Sequence, residues 1–306
     1  MKVAYITDEI FLEHDTGIGH PESVQRLLSV NKAVAPLLPK LIRVEPIFAS
    51  TDILRLVHTS AHIALIQEAS ETASPIDSDT VCSSASYHAA CKAVGAGIVA
   101  LDGIKSGKFD RVFCAVRPPG HHATPERAMG FCLFNNISIA ARYAQKIGYE
   151  KVMIVDFDVH HGNGTQDTFY EDDTVFYFSS HQAFAYPGTG AEAERGIGRG
   201  IGTTANYPVM PDSGDRELLE IYEHDLPEAV RVFSPEIILV SAGYDLHESD
   251  PLAQLHVTTE GIRRIVRQIL DSTDVPFVFF LEGGYDVGAL GNNVYATLEE
   301  MLRQNP

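Results

Sequence analysis

Five apolar runs of this sequence end in side chains able to carry out hydrolytic chemistry. RVFCAV leads into RPPGHHA, KVMIVDF into DVHHGNG, TVFYFS into SHQAFAYPGTG, IILVSAG into YDLHESDP, and FVFFLEGG into Tyr285. Unpaired charge is costly inside a protein, so buried runs rarely terminate in histidine pairs and carboxylates unless those groups satisfy one another or bind something. In the run Asp156-Phe157-Asp158-Val159-His160 the polar residues alternate with apolar ones. An extended strand would project the two carboxylates and the imidazole from one side. Oxygen and nitrogen donors without thiolate suit a catalytic Zn²⁺ with a position open for water. Asp245, ending another run, is the natural further ligand.

Two more features belong to the same chemistry. Pro118-Pro119-Gly120 is a rigid turn ahead of His121-His122, and adjacent imidazoles can divide the work. One pairs with a carboxylate while the other moves a proton from attacking water to a leaving amine. Tyr285 has a phenol that stays protonated at neutral pH and can donate to an oxyanion. The glycines before it permit close backbone approach.

These residues need a scaffold that delivers strand ends to one place. Short β-branched runs alternate with amphipathic stretches at 22–34, 60–72, 84–105, 134–147, 215–232, 259–271 and 288–303. The pattern predicts an α/β doubly wound parallel sheet with helices on both faces and the site at the carboxyl ends of the strands. The Gly-rich stretch 183–214 lacks a period and reads as a long ordered loop. Its glycines neither follow a strand directly nor open a helix, so no nucleotide-binding loop is inferred.

Composition narrows the partners. The 306 residues are 45% hydrophobic and 21% charged, and no linker interrupts them, so one domain over 1–306 is expected. With 23 Lys and Arg against 41 Asp and Glu the formal charge is −18, which argues against nucleic acid; the same field would draw in a cationic substrate, although solubility alone is its plainer reading. No window reaches the length of an apolar membrane span and no leader is evident, so a soluble, cytoplasmic protein is expected. Cys82, Cys91, Cys114 and Cys132 form no Cys-x-x-Cys pair. A metal would therefore rely on His and carboxylates.

At these residues the chain resembles the histone deacetylase superfamily, including its bacterial amidohydrolases and acetylpolyamine amidohydrolases, within the arginase/deacetylase-like fold. The motifs are GHPESVQR (19–26), RPPGHHA (117–123), GFCLFNN (130–136), VDFDVHHGNGTQ (155–166), PGTG (187–190), SAGYDLHESDPL (241–252) and LEGGY (281–285). The resemblance implies that Asp158, His160 and Asp245 ligate one zinc ion. It implies that Asp156 pairs with His121 and helps hold a structural potassium with Ser179 and the backbone of Asp158, His160 and Ser180. His122 would be the general base and acid, Tyr285 the carbonyl-polarising residue, and Gly130 a backbone acceptor for the substrate amide. Phe131 and Tyr186 would wall the acyl-lysine tunnel, Leu252 and Gly284 would contact substrate, and Arg26 would stand near an acetate exit.

Asn163 stands where class I members carry an aspartate, which implies a less basic His122. Together with the HPES segment it points to the class II branch. The implied reaction is removal of acetyl or another short acyl group from lysine in a protein or peptide. An acetylated polyamine is the alternative substrate, although Leu252 replaces the gatekeeping glutamate of the polyamine-selective relative. A non-catalytic acyl-lysine binder is the alternative of another kind, and a homo-oligomer is left open. Arginases carry a second Asp-x-Asp motif for two manganese ions, and the single carboxylate of Ser241–Asp245 implies one metal.

Overall fold

A computed structural model describes residues 1–303, so the last three positions of the expected 1–306 domain lie outside the described residues. Among the described residues eight strands form one sheet: β1 Val3–Ile6, β2 Ile42–Val44, β3 Arg111–Cys114, β4 Val152–Asp156, β5 Val175–Gln182, β6 Thr204–Val209, β7 Ile237–Ala242 and β8 Phe277–Leu281. Every pairing is parallel and the spatial order is β2-β1-β3-β8-β7-β4-β5-β6. The inner strands are buried along their whole length, as parallel strands covered on both faces must be. Helices surround the sheet, so the expected α/β architecture is the observed one.

The helices begin where side chains can satisfy their first amide groups. Thr59, Asn135, Thr258 and Asp286 each accept a backbone N–H at the head of helices Ser60–Glu71, Asn136–Lys146, Thr259–Asp271 and Val287–Leu302. Helix Val24–Val34 lies against Val287–Leu302. A side chain at Gly291 would meet Ser29 Oγ at 2.8 Å, so that crossing requires glycine. No helix among the described residues is long and apolar enough to cross a membrane.

Two expectations are corrected. The stretch 183–214 is not loop throughout, because it contains a short 3₁₀ turn at Gly198–Gly200 and all of β6. β6 is an edge strand, half-buried and interrupted by Pro208, so its residues carry little of a core strand's apolar signal. The single helix expected over 215–232 is three pieces, Asp215–Glu220, a π-helical turn Ile221–Asp225, and Leu226–Phe233.

Candidate active site and metal centre

Four neighbouring strands, β3, β8, β7 and β4, deliver the chemistry to one rim. Their registers align Cys114 with Phe280, Phe280 with Ser241, and Ser241 with Asp156, so the four chains leave the sheet at nearly one level. The segments just beyond carry His121 and His122, then Tyr285, then Asp245, then Asp158 and His160.

Asp158, His160 and Asp245 are buried and offer one ligand atom each, all within 4.8 Å of one another, a group able to hold a metal ion. His160 Nδ1 lies 3.3 Å from Asp158 Oδ1 and 3.1 Å from Asp245 Oδ2. The backbone clamps the carboxylates: Gly283 N–H donates to Asp158 Oδ2 at 2.8 Å and Val159 N–H to Asp245 Oδ1 at 3.0 Å. Clearance requires glycine on two sides. A Cβ at Gly243 would stand 2.0 Å from Asp158 Oδ2, and one at Gly283 would stand 2.2 Å from Asp245 Oδ2. Burial disfavours charge on His160, but Asp158 and Asp245 raise its imidazole to about 10. Two hard oxygens and one imidazole nitrogen, enclosed and without sulfur, fit a divalent ion, which would take the place of the His160 proton.

Asp156 is not part of that group. Strand alternation alone would have made it a ligand, but β4 ends at Asp156 and the chain then turns. Asp158 N–H donates back to Asp156 Oδ1 at 3.1 Å, and His160 N–H to Asp158 Oδ1 at 2.9 Å. Asp156 instead accepts from His121 Nδ1 at 3.0 Å and from the Tyr177 hydroxyl at 3.1 Å. Against burial, Asp158 and Asp156 raise the His121 imidazole to about 10, so its charge is kept.

His122 is held differently. Its Nδ1 meets Asn163 Oδ1 at 2.9 Å, and because that oxygen only accepts, Nδ1 carries the proton and Nε2 is left basic. Burial, then His121 and His160, push its pKa well below the ordinary value. Tyr285 moves the other way, since burial and then the Asp245 carboxylate raise its phenol well above the usual range. The phenol therefore keeps its proton for donation. Asp250 fixes its backbone, accepting Tyr285 N–H at 2.6 Å and Asp286 N–H at 3.2 Å.

Aromatic rings stand against both His122 and Tyr285. Tyr186 stands edge-on to His122 with ring centroids 5.0 Å apart, and Phe131 stands edge-on to Tyr285 at 5.7 Å. Gly130 has φ +55°, and a Cβ there would meet His122 Cδ2 at 2.5 Å and Tyr186 Cε1 at 3.0 Å. Gly284 has φ +117° and its carbonyl accepts from Arg26 Nε at 2.7 Å. Leu252 is 44% exposed, its N–H tied to Asp250. Ser179 faces Asp156 across β4 and β5, and its hydroxyl is bonded to His181 Nδ1 at 2.8 Å.

Arg26 is fully buried. It reaches Glu22 at 2.9 Å and the Glu282 carbonyl at 2.5 Å, with its guanidinium carbon 5.1 Å from the centre of the Tyr285 ring. Glu22 also receives Arg117, so one acid joins two buried guanidinium groups beneath the site. No role for Glu22, Arg117, Asp250, Tyr177 or Glu282 was assigned from sequence. Glu22, Arg117, Asp250 and Glu282 lie inside the motifs quoted above, and that placement is the one signal that could have found them.

The Histone deacetylase domain profile matches residues 20–301. Histone deacetylase 10, chloroplastic, of Oryza sativa subsp. japonica is 42% identical over 83% of this chain, and the alignment spans 61% of the rice protein's length. A probable deacetylase of Archaeoglobus fulgidus is 35% identical over 95% of this chain and 83% of its own. The crystal structure of the HDA15 HD domain superimposes with a TM-score of 0.94 at 34% identity, covering 98% of this chain and 89% of that one. A match of that extent, on a fold whose central strands bring Asp158, His160, Asp245, His122 and Tyr285 to one rim, makes this chain a member of the histone deacetylase domain family.

Proposed function

We propose that this chain is a zinc-dependent amidohydrolase that removes acetyl or another short acyl group from lysine side chains of proteins or peptides. One observation carries the reading: a buried ligand set of two carboxylates and an imidazole, without sulfur, beside a histidine pair and a protonated phenol. Zinc held by such a set supplies Lewis-acid polarisation of a carbonyl and lowers the pKa of water. His122, with Nδ1–H committed to Asn163, uses Nε2 to take a proton from the attacking water and later gives it to the leaving amine. Tyr285 donates to the carbonyl oxygen as it gains negative charge.

The same reading gives the other residues their work. Phe131 and Tyr186 enclose the aliphatic arm of the lysine, the Gly130 carbonyl accepts the substrate amide N–H, Leu252 and Gly284 meet the substrate, and Arg26 borders the acetate exit. A structural potassium would take Asp156, Ser179 and the backbone oxygens of Asp158, His160 and Ser180, an oxygen set suited to a hard cation.

The test is turnover of acetyl-lysine peptides and of N-acetylputrescine by zinc-loaded protein. Peptide hydrolysis is expected, abolished by chelation and restored by zinc. Full rate after chelation would reject the metal's part. Hydrolysis of the polyamine alone would favour the second substrate, toward which the −18 charge is also attractive. Saturable binding without turnover would mark an acyl-lysine binder.

A further inference from the structure

Glu282 is the acid of the LEGGY segment, three residues before the phenol, and its side chain is 0% exposed. Its three hydrogen bonds come from neutral donors. Oε2 accepts Gly120 N–H at 2.7 Å and His121 N–H at 3.2 Å, while Oε1 accepts the Ser241 hydroxyl at 2.9 Å. Arg26 donates to the Glu282 backbone carbonyl instead, so the guanidinium fixes the main chain and leaves the carboxylate to the turn. The carboxylate thereby joins the end of β8 to the end of β7 and to the turn that follows β3.

That turn carries both imidazoles. His121 and His122 have ring centroids 4.0 Å apart, so the backbone at 120–121 sets where His122 Nε2 points. Other pins hold the turn from outside: Asn136 Nδ2 donates to Pro118 O at 3.1 Å and Thr165 N–H to His121 O at 3.1 Å. Glu282 is the side chain that satisfies its two inward amide groups. A buried amide without an acceptor is unfavourable, so a side chain that cannot accept would let the turn shift and carry His122 with it.

We propose that Glu282 is a positioning residue, a two-amide acceptor that holds the His121-His122 turn against the metal-bearing strand ends. It acts through His122 and touches no reacting atom. The kinetic half of this proposal rests on the deacylase reading above, whereas the structural half does not.

The experiment compares the full chain with Glu282→Gln and Glu282→Met. In the Gln variant the amide oxygen can take both N–H groups and the NH₂ can donate to Ser241 Oγ, so it rescues the arrangement. Met fills similar volume and has no strong acceptor. Amide hydrogen exchange over 120–123 is measured without substrate, and kcat and KM are measured on an acetyl-lysine peptide. Exchange is expected at the wild-type rate in the Gln variant and at least about tenfold faster in the Met variant. Turnover is expected within about threefold of wild type for Gln and lowered about 10- to 100-fold for Met, with KM and metal content little changed.

Wild-type exchange and kcat in the Met variant would overturn the proposal. So would a Gln variant as impaired as Met, since the group would then act through its charge. An inert wild-type chain would sink the deacylase reading and leave the exchange result to decide the positioning role. If the Met variant does not fold, Glu282→Asp replaces it, because the shorter arm cannot span Ser241 and both amides at once. Faster exchange supports the proposal there, and unchanged exchange overturns it.

Discussion

Asn163 Oδ1 accepts the Nδ1–H of His122 at 2.9 Å, while next to it Asp156 accepts from His121 at 3.0 Å. Adjacent imidazoles thus have partners of different charge: a neutral amide for His122 and a carboxylate for His121. Replacing Asn163 by Ala frees the His122 ring to change tautomer and orientation. We expect kcat to fall about 10- to 100-fold with zinc content unchanged, the usual consequence of losing an orienting partner. Steady-state kinetics with metal analysis checks this, and an unaltered kcat would contradict it.

Tyr285 keeps its proton, and burial and then the Asp245 carboxylate are what hold it there. Tyr285→Phe keeps the ring against Phe131 and removes the donor. kcat should drop about 10²- to 10³-fold, with substrate binding largely retained. Turnover near that of wild type would remove Tyr285 from the reaction.

Asp245→Asn changes one ligand to a neutral amide without changing its size. The purified variant should hold well below one zinc per chain, where wild type holds about one, as read by elemental analysis. Retention of stoichiometric zinc would mean that the ion is held elsewhere.

Gly130→Ala places a methyl group 2.5 Å from His122 Cδ2 at a backbone angle of +55°. The strain should cost about 1–2 kcal/mol. Because the methyl presses on His122, kcat/KM should fall at least about tenfold under the proposed mechanism, more than the stability loss would suggest. Thermal unfolding and kinetics on one preparation separate the two effects.

Glu22 is a group whose pH dependence has a definite sign. Burial would raise its carboxyl, but Arg117, His14 and Arg26 outweigh that and hold it well below its ordinary 4.5. The folded state therefore binds fewer protons than the unfolded one. The stability involved is complete above about 4.5 and is lost as pH falls from there toward the folded value. Glu22→Gln should cost about 3–5 kcal/mol at pH 7, since two guanidinium groups lose their buried acid. The gap from wild type should narrow by about 1.4 kcal/mol per pH unit below that point. Urea midpoints between pH 7 and pH 3.5 measure it, and a gap that widens on acidification would refute the assignment.

Much of the centre could be read from strand ends. Asp158, His160 and Asp245 close apolar runs, and a buried run that ends in charge must satisfy it locally. Asp156 misled the strand reading because alternation holds only while the backbone stays extended, and β4 stops there. Glu282 was hidden for another reason. Its partners lie 162 and 161 residues away in sequence, and Arg117 is 95 residues from Glu22, so local patterning holds no trace of either pairing. β6 escaped because an edge strand containing Pro208 is neither fully apolar nor strictly alternating. The break within 215–232 escaped because its three helical pieces follow one another with no loop between them to mark the change.

The strand order β3-β8-β7-β4 has a bearing on how the molecule comes into being. β3 and β4 leave the ribosome early, yet they never touch, since the two strands between them are the last of the sheet to be synthesised. Until Leu281 has emerged, the nascent sheet consists of two halves with a bare seam, and no partial chain can assemble a working centre. Completion of the sheet is then the step that brings the His121-His122 turn and the Asp158, His160 and Asp245 group together, with Tyr285 following directly behind, and the inner flanks of β3 and β4 are the surfaces a chaperone would have to shield until it happens.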